Sequence, residues 1–304
     1  MRLVSYDYFG ESRHQSSQIE HASRFSMIRE LIESQGTAWP FTEGVENIIA
    51  HTINQEHIDA VKKYTKQSPP GQFRYLSEDT YATDDTFEVA LLAAGCALRA
   101  SDYAQKGHKS FAIIRPPGHH ANRDVSTGFC VFNNMGIAIE HLAARDFQNR
   151  VLVVDVDVHM GDGTRDIIQS SPYKDRLGLL DVYQEGIYPF KHSVTTDNIC
   201  QVGLKYETPD HIWQRDFERL FYEMLDVFQP NIIGLSLGLD TAEKDMDAVD
   251  EGVGFCLTEH SYEYLRKVLD QTNIPYFGVL EGGYRPESIK LGLDSFLGID
   301  SRHD

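Results

Sequence analysis

Cysteine is scarce in this chain. Its 304 residues include only 4, at Cys96, Cys130, Cys200 and Cys256, with no CxxC pair. That spacing argues against a disulfide framework and a Cys-rich metal site. It fits free thiols in a reducing compartment. Positive charge is also short: 28 Lys and Arg face 46 Asp and Glu, for a net charge of -18. A nucleic-acid partner calls for clustered Lys and Arg and is not expected. An acidic surface instead steers cations, or simply keeps a protein soluble. No apolar run reaches the ~20 residues of a membrane span. The opening "MRLVSYDYFGESRH" meets charge before an apolar h-region can form, so no signal peptide is expected. These features point to a soluble cytoplasmic protein. Repeats, low-complexity tracts and Pro-, Gly- or Ser-rich linkers are missing too, so one domain over 1–304 is expected. At 41% hydrophobic residues there is enough apolar material for a large core.

What is present is an alternation of two patterns. Short β-rich runs occur at 2–8, 110–115, 150–158, 176–183, 231–238 and 275–281. Several are apolar on both faces, as parallel strands covered by helices are. Helical spacing occurs between them at 22–35, 84–104, 134–145, 211–228 and 258–271. In the first of these, Phe25, Ile28, Leu31 and Ile32 form the apolar stripe. This βα alternation predicts an α/β fold with a central, mostly parallel sheet flanked by helices. Residues 184–200 read as an irregular surface loop.

Ligands of such sheets bind at the carboxyl ends of the strands. The unusual polar residues fall there. "VLVVDVDVHMGDGT" (151–164) runs from four apolar residues into Asp155, Asp157 and His159 at every second position. Residues two apart in a strand share a face, and buried charges are paired or bind metal. "RPPGHHAN" (115–122), Asp240 after "IIGLSLGL", and "EGGY" (281–284) close three other runs. Asp157, His159 and Asp240 offer two carboxylates and one imidazole, a donor set for Zn²⁺ that also admits Fe²⁺, Co²⁺ or Mn²⁺. Read alone, Asp240 also fits a helix cap. The tandem His119 and His120 fit a base held by Asp155 and Asp162, a second metal site, or an exposed loop. Tyr284 fits an oxyanion donor or a turn aromatic. Together they describe metal-assisted hydrolysis of a carbonyl compound.

"RPPGHHANRDVSTGFCVFNN", "VLVVDVDVHMGDGT", "GLSLGLDTAEKD" and "LEGGY" resemble the histone deacetylase and acetylpolyamine amidohydrolase family, in order and spacing over 110–285. The resemblance implies the arginase–deacetylase fold. It implies zinc on Asp157, His159 and Asp240, and His120 as principal base and acid with His119 assisting. Asp155 would orient His119, and Asp162 would orient His120. Tyr284 would polarise the acetyl carbonyl. Phe129, beside Gly128, and Tyr188 would wall an acyl tunnel, and Gly282 would sit beside it. A structural K⁺ near Asp155, Asp157 and His159 is also implied. The chain departs from the family pattern at Met160, where a second His is common, and at Leu179, where many members offer Ser. It departs again at Asp245-Met246, where Asp-Pro is usual.

"LGLDTAEKD" and "RPPGHH" resemble the acetylpolyamine branch. With Asp247 and Glu185 as rim candidates, the expected substrate is a small cationic acetylated polyamine or diamine. Acetyl-lysine on a protein is the alternative. A binuclear manganese ureohydrolase and a non-catalytic binder of acetylated ligands rank lower, because one metal set, the His pair and the Tyr are all present. A homodimer is left open.

Overall fold

The computed structural model describes residues 1–6, 14–34, 41 and 43–299. Among these are nine strands: β1 (Arg2–Val4), β2 (Arg74–Tyr75), β3 (Tyr81–Ala82), β4 (Ser110–Ala112), β5 (Val151–Asp155), β6 (Leu177–Gln184), β7 (Ile199–Leu204), β8 (Ile232–Leu237) and β9 (Tyr276–Leu280). The α-helices are α1 (Arg29–Ser34), α2 (Val45–Ile49), α3 (Gln55–Gln67), α4 (Thr86–Gln105), α5 (Asn134–Arg145), α6 (Asp162–Ser170), α7 (Asp210–Phe228), α8 (Glu259–Gln271) and α9 (Pro286–Leu297). Seven strands form one sheet in the order β1-β4-β9-β8-β5-β6-β7, and every neighbouring pair is parallel. β2 and β3 form a separate antiparallel hairpin.

Strand alternation builds the layers. Val151 and Val153 of β5 point into a core shared with α4 and α5, including Val89, Ala93, Met135 and Ile139. Leu152 and Val154 point the other way, against Phe217 and Phe221 of α7, Leu265 of α8 and Leu293 of α9. Both faces of the sheet are therefore covered, which explains why its strands read as continuous apolar runs. β6 and β7 lie to one side of β5, and β8 and β9 to the other. The order reverses between β5 and β8, the place where a crevice opens in sheets of this kind. Among the described residues no helix is long and apolar enough to cross a membrane.

The expected α/β architecture is the one found, with differences in its parts. Pairing in the strand expected at 150–158 stops at Asp155, so Asp157 and His159 lie beyond the sheet. Side-chain to backbone bonds hold them there instead of strand alternation. The strand expected at 2–8 pairs only as far as Val4, and residues 7 and 8 lie outside the described residues. The expected helix at 22–35 is a 3-10 turn over Ala22–Phe25 followed by α1, and residue 35 lies outside the described residues. Both ends of the loop expected at 184–200 are strand: Gln184 closes β6, and Ile199 and Cys200 open β7. β7 is a half-exposed edge strand, and Gln201 and Gly203 interrupt its apolar pattern. Helices α2, α3, α6 and α9 were not expected. For α9 a start signal existed, because Pro286 stands at its first turn.

Candidate metal and catalytic site

Asp157 and His159 follow β5, and Asp240 follows β8. One ligand atom from each lies within 4.8 Å of the others. His159 Nδ1 is 3.2 Å from both Asp157 Oδ1 and Asp240 Oδ2. Backbone donors aim these groups. His159 N and Gly282 N donate to the two oxygens of Asp157 at 2.9 and 2.8 Å, and Val158 N donates to Asp240 Oδ1 at 3.2 Å. Gly282 is required by space: a Cβ there would overlap the carboxylates of both Asp157 and Asp240. All three side chains are buried.

The electrostatics call for a cation. Burial and Asp157 raise Asp240 to about 7, against the attraction of His159. Burial works against a charge on His159, yet its bonds to Asp157 and Asp240 raise it to about 9. The two carboxylates share His159 between them, and Asp157 also lies 3.8 Å from His119 Nε2. Two oxygens and one imidazole nitrogen at this separation suit a divalent ion with an open position. The residues fit a catalytic metal.

The tandem histidines sit on the loop after β4. His119 Nδ1 is 3.2 Å from Asp155 Oδ2, and His120 Nδ1 is 2.7 Å from Asp162 Oδ1. Their rings lie 4.1 Å apart, inclined at 45°. Buried Glu281, just past β9, fixes this loop by accepting from Gly118 N at 2.6 Å and His119 N at 3.2 Å. The two imidazoles have opposite tendencies. Burial opposes charge on His119, but Asp157 and Asp155 overcome it and raise this group well above its ordinary value. Burial and the neighbouring His119 lower His120 to about 4, despite Asp162. His120 is thus the neutral member of the pair.

Asp162 has a second partner, Lys191 Nζ, at 2.7 Å. Burial raises Asp162, but His120 and Lys191 together lower it to about 2. Removing the lysine charge leaves the carboxylate to attract a proton onto His120 alone. Lys191→Met therefore raises the basicity of His120. If neutral His120 is the active form, the acid limb of the kcat/KM profile moves to higher pH. An unmoved limb would mean that Lys191 forms only a surface ion pair.

Tyr284 follows two glycines past β9. Its ring meets Phe129 edge-on at 5.8 Å and lies 5.0 Å from the Arg24 guanidinium. Arg24 also donates to the carbonyls of Gly283 and Glu281, each at 2.6 Å. Burial and Asp240 raise the Tyr284 hydroxyl well above its ordinary value, against Arg24, so it remains a donor.

A cleft of about 370 Å³ reaches these groups. His120, His159, Phe129, Tyr188 and Tyr284 line it, with Gly128 beside them. Gly128 takes φ 57, and a Cβ there would overlap the His120 ring. Tyr188 meets that ring edge-on at 4.9 Å, and its hydroxyl pairs with Thr127 Oγ1 at 2.8 Å. Asp79, Asp250 and Glu251 also line the cleft, and no Lys or Arg is among its described lining residues.

Two expected rim residues, Asp247 and Glu185, are not among the described residues that line the cleft. The Asp247 carboxylate accepts from Gly252 N at 2.7 Å and from the Tyr206 hydroxyl at 3.2 Å, which shapes its own loop. Glu185 pairs with Lys205 at the surface. Gly282 backs the Asp157 and Asp240 carboxylates and is not among the described lining residues of the cleft. Met160 is buried and packs its sulfur 3.6 Å from Arg165 Nη1.

Sequence reasoning did not assign Glu281, Arg24, Asp79, Lys191 or Asp181. Arg24 carried a signal, a charge inside an apolar helical stripe. Asp181 carried another, a charge inside the apolar run of β6. The parallel register sets Asp181 opposite Asp155. Its Oδ2 accepts from Gly161 N and Gln201 Nε2, while the buried Oδ1 has no hydrogen-bond partner. Burial and Asp155 raise this carboxyl well above the ordinary range.

The histone deacetylase domain model matches residues 18–299. A probable deacetylase of Methanothermobacter thermautotrophicus is 30% identical over 97% of this chain and 88% of its own length. The polyamine deacetylase HDAC10 of Mus musculus is 30% identical over 81% of this chain, which spans 39% of that protein. Two crystal structures share the fold, each at TM-score 0.81 over 98% of this chain. The HDA15 HD domain is 23% identical over 90% of its length, and the acetylpolyamine aminohydrolase of Burkholderia pseudomallei is 21% identical over 98%. With a cluster of two carboxylates and an imidazole able to hold a metal, a histidine pair and a tyrosine at the carboxyl ends of one parallel sheet, the chain belongs to the histone deacetylase domain family, within the arginase–deacetylase superfamily.

Proposed function

We propose that this protein is a zinc-dependent amidohydrolase that removes acetyl groups from N-acetylated polyamines or diamines. The observation that carries the substrate reading is the cleft lining. Asp250 and Glu251 supply carboxylates, Asp79 adds one already bonded to Gly128 N at 3.0 Å, and no Lys or Arg is among the described lining residues. An ammonium group is the natural complement of such a lining. The names of two relatives, the polyamine deacetylase and the acetylpolyamine aminohydrolase, agree with this choice.

Asp157, His159 and Asp240 would hold the divalent ion, which would supply Lewis-acid polarisation of the amide carbonyl and of water. Fe²⁺ and Co²⁺ suit the same donors. His120 has its Nδ1 committed to Asp162, so Nε2 is left to take a proton from the attacking water and return it to the leaving amine. His119, held by Asp155, assists through its charge. The Tyr284 hydroxyl donates to the carbonyl oxygen as charge develops there. Phe129 and Tyr188 exclude water along the alkyl chain of the substrate amine.

A structural K⁺ belongs to this reading. The unpartnered Asp181 oxygen, opposite Asp155, offers a buried oxygen donor near where the family's Ser is replaced by Leu179. The test is kcat/KM of the zinc-loaded protein on acetylputrescine, on a neutral N-alkylacetamide of equal length and on an acetyl-lysine peptide, with a chelator control. Acetylputrescine is expected to exceed the neutral amide by about tenfold or more, the worth of one charge-assisted hydrogen bond. Equal rates would sink the cationic-substrate reading, and a preferred peptide would replace it with acetyl-lysine. Replacing KCl with choline chloride is expected to lower activity, and no change would remove the K⁺ site.

A further inference from the structure

We propose that Asp245 is a positioning residue for Tyr284, holding the main chain from which the tyrosine hydroxyl is aimed. The inference rests on the amidohydrolase reading and adds a residue to that machinery. Asp245 is buried and ends a short 3-10 turn, five residues beyond the metal ligand Asp240. Its carboxylate accepts from Tyr284 N at 3.0 Å, from Arg285 N at 2.7 Å and from the Ser288 hydroxyl. Helix α9 needs acceptors for its first N–H groups. Its own N-cap residue, Arg285, supplies no side-chain cap. Asp245, from a different loop, instead takes the N–H groups of the two residues before the helix, Tyr284 and Arg285, and the hydroxyl of Ser288 in its first turn.

The segment before Tyr284 would otherwise be loose. Gly283 has φ 107, a conformation that places few restraints on a glycine backbone. Arg24 holds the carbonyls of Glu281 and Gly283 from one side, and Asp245 holds the N–H groups of Tyr284 and Arg285 from the other. Leu239 N donates to Gly282 O at 3.1 Å, which ties the Asp240 loop to the same segment. The loop from Asp240 to Asp245 therefore sets the metal ligand and the tyrosine relative to each other. Without the Asp245 carboxylate, two part-buried N–H groups lose their acceptor and the tyrosine can swing about Gly283. A displacement of about 1 Å at a reacting group costs up to about 100-fold in rate.

The experiment measures kcat, KM and zinc per chain for Asp245→Ala and Asp245→Asn, each alone and combined with Tyr284→Phe. Asp245→Ala is expected to lower kcat about 10- to 100-fold with KM and zinc content unchanged. Asp245→Asn, which keeps one acceptor oxygen, falls between it and the parent. On the Tyr284→Phe background, Asp245→Ala costs nothing further, because the hydroxyl it aims is gone. An equal loss on that background overturns the proposal, as does an unchanged kcat or a fall in zinc that matches the fall in kcat. The ring signals of protein labelled with ¹³C-tyrosine, assigned through Tyr284→Phe, provide a readout that needs no substrate. The Tyr284 signal is expected to shift in Asp245→Asn, and an unmoved signal overturns the proposal even if the alanine variant fails to fold. If the parent protein hydrolyses no acylated amine, the amidohydrolase reading falls while the ring signal still decides whether Asp245 places Tyr284.

Discussion

Tyr284→Phe is expected to lower kcat by about 100- to 1000-fold while zinc content and KM stay near their parent values. The substitution removes one oxygen and keeps the ring that packs edge-on against Phe129 and beside Arg24. What is lost is the donor. Burial and the nearby Asp240 charge keep this hydroxyl protonated well above neutral pH, so throughout the working range it can donate to an oxygen that gains charge. A donor aimed at developing charge is worth more in the transition state than in the ground state, so the loss falls on kcat. Steady-state rates, with metal content read by atomic absorption, check this. A rise in KM at unchanged kcat would make Tyr284 a substrate-binding wall, and the oxyanion role would have to move to another group.

Most of the architecture was readable because burial on both faces writes apolar runs into parallel strands, as in "VLVV" and "IIGLSL". The edge strand β7 was not, since an exposed edge has no reason to be continuously apolar. The residues now proposed as ligands and acid-base groups could be named from motifs because metals and proton transfer restrict residue types at short spacings. The groups that aim them were harder to see. Glu281, Arg24 and Asp245 act on main-chain atoms far away in sequence, and no local spacing encodes such a contact. Arg24 reaches Gly283 across 259 residues. The rim was least readable of all. Asp247 and Asp250 lie three residues apart on one loop, and only the turn of that loop puts Asp250 on the cleft while Asp247 bonds back to Gly252.

Metal affinity is expected to rise steeply with pH and to collapse in Asp240→Asn. Binding a divalent ion requires Asp240 as a carboxylate and His159 as a neutral imidazole. In the metal-free protein, burial and the Asp157 charge raise Asp240 to about 7, while bonds to Asp157 and Asp240 outweigh burial and raise His159 to about 9. Both groups must give up protons that the folded protein holds above their ordinary values, so the metal competes with protons. Below pH 7 both protons oppose binding. Between 7 and 9 the His159 proton dominates, and above 9 neither does. The zinc dissociation constant is therefore expected to tighten about tenfold per pH unit while one proton is displaced, then to level off. Competition with a chromophoric chelator across this range measures the slope, and a flat profile would exclude Asp240 and His159 as the ligand pair. Asp240→Asn keeps the shape but removes one anionic ligand. It is expected to lose most of its zinc at a free concentration that saturates the parent protein. The parent should also gain about 4 kcal/mol of stability at a zinc concentration 1,000 times its dissociation constant, seen as a rise in Tm that the variant lacks. Adding zinc would then raise the Tm of one protein and not of the other, and equal shifts would place the ion somewhere else in the fold.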